Sequence, residues 1–241
     1  MLMQTLSREH GSSFAFPHPY QSLNLESGCR RERPGQPTPL WVQLRHRRAA
    51  ILAAARRSMG HPEQKAAIRH IAADAGVSSP TVYNLVGGRR EILVAAVNDH
   101  TMALAQFAKC SNEHPHFLLG LAMAYWASAR AAPEFLRSIT LAYLSSDLGS
   151  HEECRRFGVH MLHESLRDSE ANGLTRPGVD IHRVAQNSSS LIVAAIHEWT
   201  IGSYGYDELR STLATSVGFM LMNTLKPCMA SRIEEWLAPM Q

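Results

Sequence analysis

The stretch IRHIAADAGVSSPTVYNL, residues 68–85, decides how this chain folds. Its fourth, eighth, tenth, fifteenth and eighteenth residues are Ile71, Ala75, Val77, Val82 and Leu85, all apolar. Ile68, Ile71, Ala72 and Ala75 share one face at helical spacing, and Val82 and Leu85 do the same on a second helix. Two helices joined by a tight turn meet at one point, and a small residue must stand there; Ala72 fits. The turn needs a positive φ, which glycine adopts at little cost, and Gly76 is placed for it. Ser78 or Ser79 can cap the second helix, and Pro80 suits its first turn. The spacing predicts a helix-turn-helix whose second helix, about 79–85, turns Ser79, Pro80, Thr81, Tyr83 and Asn84 outward. Such a polar, uncharged face can approach base edges and phosphates without repulsion. An ordinary helical hairpin with a glycine turn would carry the same apolar spacing.

The flanks narrow that choice. Residues 47–59, RRAAILAAARRSM, put Ile51, Leu52, Ala55 and Met59 on one side of a preceding helix. After the second helix comes GGRREILVAAV, in which Gly87 and Gly88 end one helix and Arg89 begins another. The run 47–97 resembles the DNA-binding domain of the TetR family of bacterial transcription regulators. The matching pieces are IL-A-AA at 51–55, IRHIAADAGVS at 68–78, P-TVYNLVGGRREIL at 80–93, and the helix that follows. The resemblance covers about 50 residues. It implies a homodimer that binds a near-palindromic operator and changes its grip when a small molecule binds the C-terminal domain.

The match departs from the family pattern at several positions. Val86 stands where the family often has Phe, Gly87-Gly88 replaces Pro-Ser, and Arg89 replaces Lys. Pro62 occupies the usual glycine of the first loop, and Ala67 the polar residue that often opens the second helix. Arginine still holds a phosphate, through a planar fork instead of a point charge. The missing hydroxyl at Ala67 puts one phosphate contact of the family in doubt.

The basic charge lies where a duplex would meet it. The net charge is only +3. Residues 41–100 nevertheless carry nine basic side chains against four acidic ones, whereas residues 101–241 carry eleven against fourteen. A phosphate backbone rewards that placement through counterion release; a solvated basic helix face would look alike. No stretch of about 18 consecutive apolar residues exists, so no membrane partner is expected. Arg8, Glu9 and His10 interrupt the first residues, unlike a signal peptide, and the cytoplasm is the expected compartment. Cys29, Cys110, Cys154 and Cys228 are far apart, with neither a CxxC pair nor zinc spacing, and are read as reduced thiols.

Residues 1–40 contain five prolines, Pro17, Pro19, Pro34, Pro37 and Pro39, and no helical or alternating period. They are read as a disordered leader, with Arg30, Arg31 and Arg33 available as a minor-groove arm. From Leu40 onward the pattern is helical, giving an all-α fold in two domains. The helix-turn-helix domain spans 41–97, and a ligand-binding and dimerisation domain spans 98–241. Helices are expected over 89–109, 116–131 and 133–145. Gly149-Ser150 is read as a break, followed by a helix over 151–172 that Gly173 ends. Further helices are expected over about 181–201 and over about 207–225, the latter capped by Asp207, with a short one after Pro227. Ser188, Ser189, Ser190, Ala194, Ala195 and Gly218 are small, and Met220 and Met222 adaptable. In the resembling family the last two long helices pair with their symmetry mates, which implies a homodimer through 181–201 and 207–225. An intramolecular hairpin would bury the same faces.

The DNA-contacting set is Arg47, Arg69, Ser78, Ser79, Pro80, Thr81, Tyr83, Asn84 and Arg89. Ser79, Pro80, Thr81 and Asn84 are placed near bases, and Tyr83, Arg47, Arg69 and Arg89 on phosphates. A small-molecule effector would sit among Tyr125, Trp126, Phe135, Tyr143, Phe157, His160 and Trp199, with Tyr204 nearby. His160 and His163 beside Glu164 form a potential metal pair. Thirteen histidines make chance pairs common and no third ligand is placed, so neither metal nor cofactor is assigned. No GxSxG, HExxH, Walker loop or GxGxxG after a strand appears, and the chain is not read as an enzyme. The expectation is a homodimeric repressor released from double-stranded operator DNA by a small molecule. The alternative is a helical protein-interaction module with a non-specific basic face.

Overall fold

The computed structural model describes residues 40–59, 67–111 and 113–240. The predicted leader and its arginines, and the loop around Pro62, lie outside these residues. The described chain is all-α, with ten α-helices. In order they are α1 (Leu40–Met59), α2 (Ile68–Asp74), α3 (Ser79–Leu85), α4 (Arg89–Cys110), α5 (Phe117–Ala131), α6 (Pro133–Leu144), α7 (Leu148–Ala171), α8 (Ile181–Thr200), α9 (Tyr206–Thr224) and α10 (Pro227–Leu237).

Helices α1, α2 and α3 close around a small core with the start of α4. Ile51, Ala54, Ala55, Ile71, Ala72, Val82 and Ile92 are buried there. Met59, Ile68, Ala75, Val77, Leu85 and Val86 pack around them. Gly76 takes φ +64°, and Val77 N–H reaches Ala72 O at 2.9 Å, closing the turn between α2 and α3. At seven residues each, α2 and α3 are too short to persist alone. Burial of Ile71 and Val82 holds them instead.

Helix α4 runs unbroken through residue 97 and packs against α5, α6 and α7 as well as α1. Where α1 meets it, the largely buried Arg56 forms an ion pair with Asp99. Helices α5 and α9, α7 and α8, and α8 and α9 form the other main packed pairs. A short clasp closes the far end. Arg176 donates through Nε to Leu225 O at 2.8 Å and through Nη2 to Met222 O at 3.0 Å. Lys226 N–H meets Leu174 O at 2.8 Å.

Two expected boundaries shift for local reasons. The seventh helix begins at Leu148, not after Gly149-Ser150, because Asp147 caps it by accepting from Ser150 N–H at 3.0 Å. A glycine and a serine fit a first turn whose N–H groups are already satisfied. The ninth helix starts at Tyr206 with Gly205 as its cap, not Asp207. Glu208 reaches back to accept from Gly205 N–H at 2.9 Å, in place of the cap expected from Asp207.

Candidate functional site

Helix α3 projects from its core as a short rod with one free side. Val82 is fully buried, whereas Tyr83 keeps 55% of its surface, and Pro80 and Asn84 are exposed. Ser79 and Thr81 are half-buried at the edge of that side. Ser78 is the cap. Its Oγ accepts from Thr81 N–H at 3.3 Å and lies 2.8 Å from Thr81 Oγ1. Both hydroxyls are therefore engaged with each other, and the outward face offers chiefly Pro80, Tyr83 and Asn84. Arg47 on α1, Arg69 on α2 and Arg89 at the start of α4 are exposed.

The turn after α3 shows how the glycine pair works. Gly87 takes φ +116°, and a Cβ there would stand 2.7 Å from Glu91 Cβ. Gly88 caps α4, and its N–H donates to Glu91 Oε2 at 2.9 Å. A carboxylate one turn ahead thus supplies the acceptor that a capping hydroxyl would otherwise provide.

Among helices α4 to α8 lies a partly open cavity of about 100 Å³. Val97, His100 and Thr101 of α4 and Leu121 and Tyr125 of α5 form one side. Leu136, Ile139, Thr140 and Tyr143 of α6 form another. Cys154, Arg155, Gly158, Met161 and Leu162 of α7 meet Ser189, Ile192, Val193 and Ile196 of α8 to close it. Most of the wall is apolar. Thr101 donates to Val97 O at 3.0 Å, and its oxygen lies 3.0 Å from Tyr125 Oη. Thr140 donates to Leu136 O at 2.7 Å. Tyr143 stacks on His151 and lies 3.1 Å from its Nε2.

The ionisable groups of this wall carry no unbalanced charge. Burial, aided by the charge of Arg56, lowers the His100 pKa to about 4, so its ring is neutral. Burial raises the Cys154 thiol to about 11 and the Tyr143 phenol to about 12. The guanidinium of Arg155 is matched by Glu152 through bonds of 2.7 and 2.9 Å.

Of the effector-site residues expected from sequence, only Tyr125 and Tyr143 line the cavity. Trp126 is one residue round α5 from Tyr125. It is flanked by Arg130 and Arg210, and its indole N–H donates to Tyr206 O at 3.0 Å. Phe135 packs edge-on against the His100 ring at 5.1 Å, beside the wall and not in it. On α7 the lining face is set by Cys154, Gly158 and Met161, which turns Phe157 aside and leaves His160 exposed. Trp199 is buried one turn beyond Ile196, under the guanidinium of Arg137. Aromatic character alone does not mark the lining of this cavity. His100, Thr101, Cys154, Gly158 and Ser189, which sequence reasoning passed over, have no spacing in common because they come from three helices. His163 meets the His182 ring at 5.4 Å, and among the described residues no group of three metal-ligating side chains forms.

One connection joins the two regions. Arg90, next to Arg89, donates through Nε to Ser150 Oγ at 3.0 Å, and Ser150 Oγ donates to Asp147 Oδ2 at 2.8 Å. A Cβ on Gly149 would stand 2.7 Å from Arg90 Nη2, so glycine leaves room for the guanidinium. The start of α4 is thereby tied to the helix that carries Cys154, Arg155 and Gly158.

Helices α8 and α9 share their small residues between two tasks. Ser188 and Ala195 are buried, and Ser188 Oγ approaches Met220 Sδ at 3.1 Å between the two helices. Gly218 admits α10, since a Cβ there would meet Leu237 at 2.7 Å. Asn187, Ser190, Leu191 and Ala194 remain exposed as one stripe on α8, and Phe219 and Asn223 are exposed on α9.

No family model and no curated protein matches the chain by sequence. Solved structures match its shape. SmeT, the repressor of the Stenotrophomonas maltophilia multidrug efflux pump SmeDEF, is 18% identical. It aligns over 76% of this chain and 92% of its own with a TM-score of 0.55. A TetR transcriptional regulator from Rhodococcus sp. RHA1 is 15% identical over 76% and 98% of the two chains, with a TM-score of 0.58. Thermus thermophilus FadR, a TetR-family transcriptional repressor in complex with lauroyl-CoA, is 16% identical over 74% and 95%, also with a TM-score of 0.58. The chain has the all-α fold of these regulators.

Proposed function

We propose that this protein is a homodimeric transcription regulator, a repressor, whose grip on a near-palindromic operator weakens when a small molecule fills the cavity among α4 to α8. The observation that carries this reading is the exposed Pro80, Tyr83 and Asn84 face of α3, braced by its apolar core and flanked by Arg47, Arg69 and Arg89. A rod of this size fits the major groove, and its basic neighbours suit the phosphates on either side. Asn84 and Thr81 carry the chemistry for base edges, the latter through its methyl group. Tyr83 combines a flat apolar body with a hydroxyl for the backbone.

A second copy, paired through α8 and α9, would present two such helices about one helical turn of DNA apart. The exposed stripe of Ser190, Leu191 and Ala194, with Phe219 beside it, supports that pairing. Effector binding acts as a population shift. About 1.4 kcal/mol of differential affinity between two dimer geometries changes operator binding tenfold. The cavity and the Arg90–Ser150 connection support a route from ligand to α4 and thence to α3.

Selection of bound DNA from a random duplex pool, repeated across a salt series, tests the reading. An inverted repeat with a steep salt slope is the expected result. Recovery of no sequence, with binding lost at moderate salt, would reduce the basic segment to a non-specific face.

A further inference from the structure

The ligand class follows from the chemistry of the cavity wall. The cavity is small, about 100 Å³, and partly open to solvent, so a one-ring ligand need not be wholly enclosed. The wall is mostly apolar and includes Leu136, Ile139, Leu162, Ile192 and Ile196. Among its polar groups, Tyr125 meets both Thr101 and the His100 ring. Thr101 spends its hydrogen on Val97 O, so Tyr125 O–H donates to Thr101 and the Tyr125 oxygen is left to accept. His100 is 4% exposed, and its Nδ1 has no hydrogen-bond partner, alone among the buried polar atoms of the wall in the described residues. A buried polar atom without a partner is costly, and a ligand supplying the bond recovers that cost.

Resting on the effector reading above, we propose that the cavity takes a small uncharged apolar molecule bearing one hydroxyl group, a phenol or compact alcohol, which donates to Tyr125 Oη and meets His100 Nδ1. A hydroxyl can both donate and accept, as this pair requires. A carboxylate can accept but offers no hydrogen to Tyr125, and no cation in the wall is free to balance its charge. Arg155 already holds Glu152, and the His100 ring is neutral down to about pH 4. An ion without a partner in an apolar wall is strongly disfavoured.

Three probes of one shape separate these terms: 4-methylphenol, toluene and 4-methylbenzoate. Binding to the full chain, without DNA, is measured by titration calorimetry at pH 7. The expected order is 4-methylphenol tightest, toluene at least tenfold weaker, and 4-methylbenzoate weaker still. Tyr125→Phe keeps the ring and removes the acceptor, and should bring 4-methylphenol down to the level of toluene. Thermal melting confirms that the variant is folded. His100→Leu is the second variant and should reduce the same preference while toluene binding persists. Equal binding of phenol and toluene, stronger binding of the benzoate, or binding of none of the three would each overturn the proposal. The operator assay is a separate readout. Should 4-methylphenol bind in the expected order yet leave operator affinity unchanged, the ligand site stands and the effector reading fails.

Discussion

Tyr83 is the side chain on which the DNA reading turns, because it is large, exposed and uncommitted to any described partner of the core. Tyr83→Ala removes contact surface without opening a cavity, so stability should barely change. Operator affinity should fall about tenfold or more, the size of one lost contact of ~1–3 kcal/mol. Fluorescence anisotropy with a labelled operator reads it, and unchanged affinity would move the contact off α3. A different residue sets the pH response. His116 caps α5 by accepting from Leu118 N–H at Nδ1, 3.1 Å away, so its hydrogen sits on Nε2, which donates to Ser169 Oγ at 3.1 Å. Burial lowers its pKa to about 4 from 6.5. The unfolded chain therefore takes up a proton that the folded chain refuses. This contribution is whole above pH 6.5 and is lost as pH falls towards 4. Urea denaturation at pH 7.5 and 4.5 should show His116→Asn flattening the loss by about 2 kcal/mol, since asparagine caps a helix without titrating in this range. An unchanged slope would show that the ring does not carry it. His100, lowered to the same value, works in the same direction. Neither histidine stood out in the sequence, because nothing local distinguishes a buried imidazole from a solvated one.

Helices were legible where their signals are local. The bounds of α3, the positive φ at Gly76 and the apolar contacts of Ile71, Ala72 and Val82 all follow from spacing within eighteen residues. The start of α7 was misplaced because a glycine-serine pair reads as a break unless the cap at Asp147 is weighed against it. The cavity was mostly illegible, since its wall is assembled from five helices and each contributes a face, not a motif. The clasp between Arg90 and Ser150 spans sixty residues of sequence and left no trace there. It has a consequence for regulation. Arg90→Ala cuts the tie between α4 and α7 while leaving Arg89 and α3 in place. Operator binding by the free protein should change less than threefold. The weakening by 4-methylphenol should shrink from about tenfold towards none, because the remaining route lacks its fixed point. Titration of labelled operator with and without the phenol measures both numbers, and a full ligand effect in the variant would assign transmission to helix packing alone.

At the scale of the whole molecule, the exposed apolar groups of α8 and α9 set the last expectation. Leu191 keeps 37% of its surface and Phe219 keeps 49%, although both sit on helices whose other faces are well packed. The all-α fold was readable from composition and period. The division of labour on these helices was not, because Ser188, Ala195 and Gly218 look interchangeable with Ser190 and Ala194 until packing assigns the former to the interior. A two-fold contact places each substituted residue twice in one interface, so a single charge is felt doubly. Leu191→Asp combined with Phe219→Asp introduces four carboxylates into the paired faces and none into the monomer core. Light scattering is expected to show a dimer for the unaltered protein and a monomer for the variant, with the melting curve retaining one cooperative step. One reader helix alone holds about half the phosphate contacts, so operator affinity should drop by at least a hundredfold and the salt slope should fall to roughly half. A dimer that survives both substitutions would place the pairing elsewhere and leave Leu191 and Phe219 to some other surface.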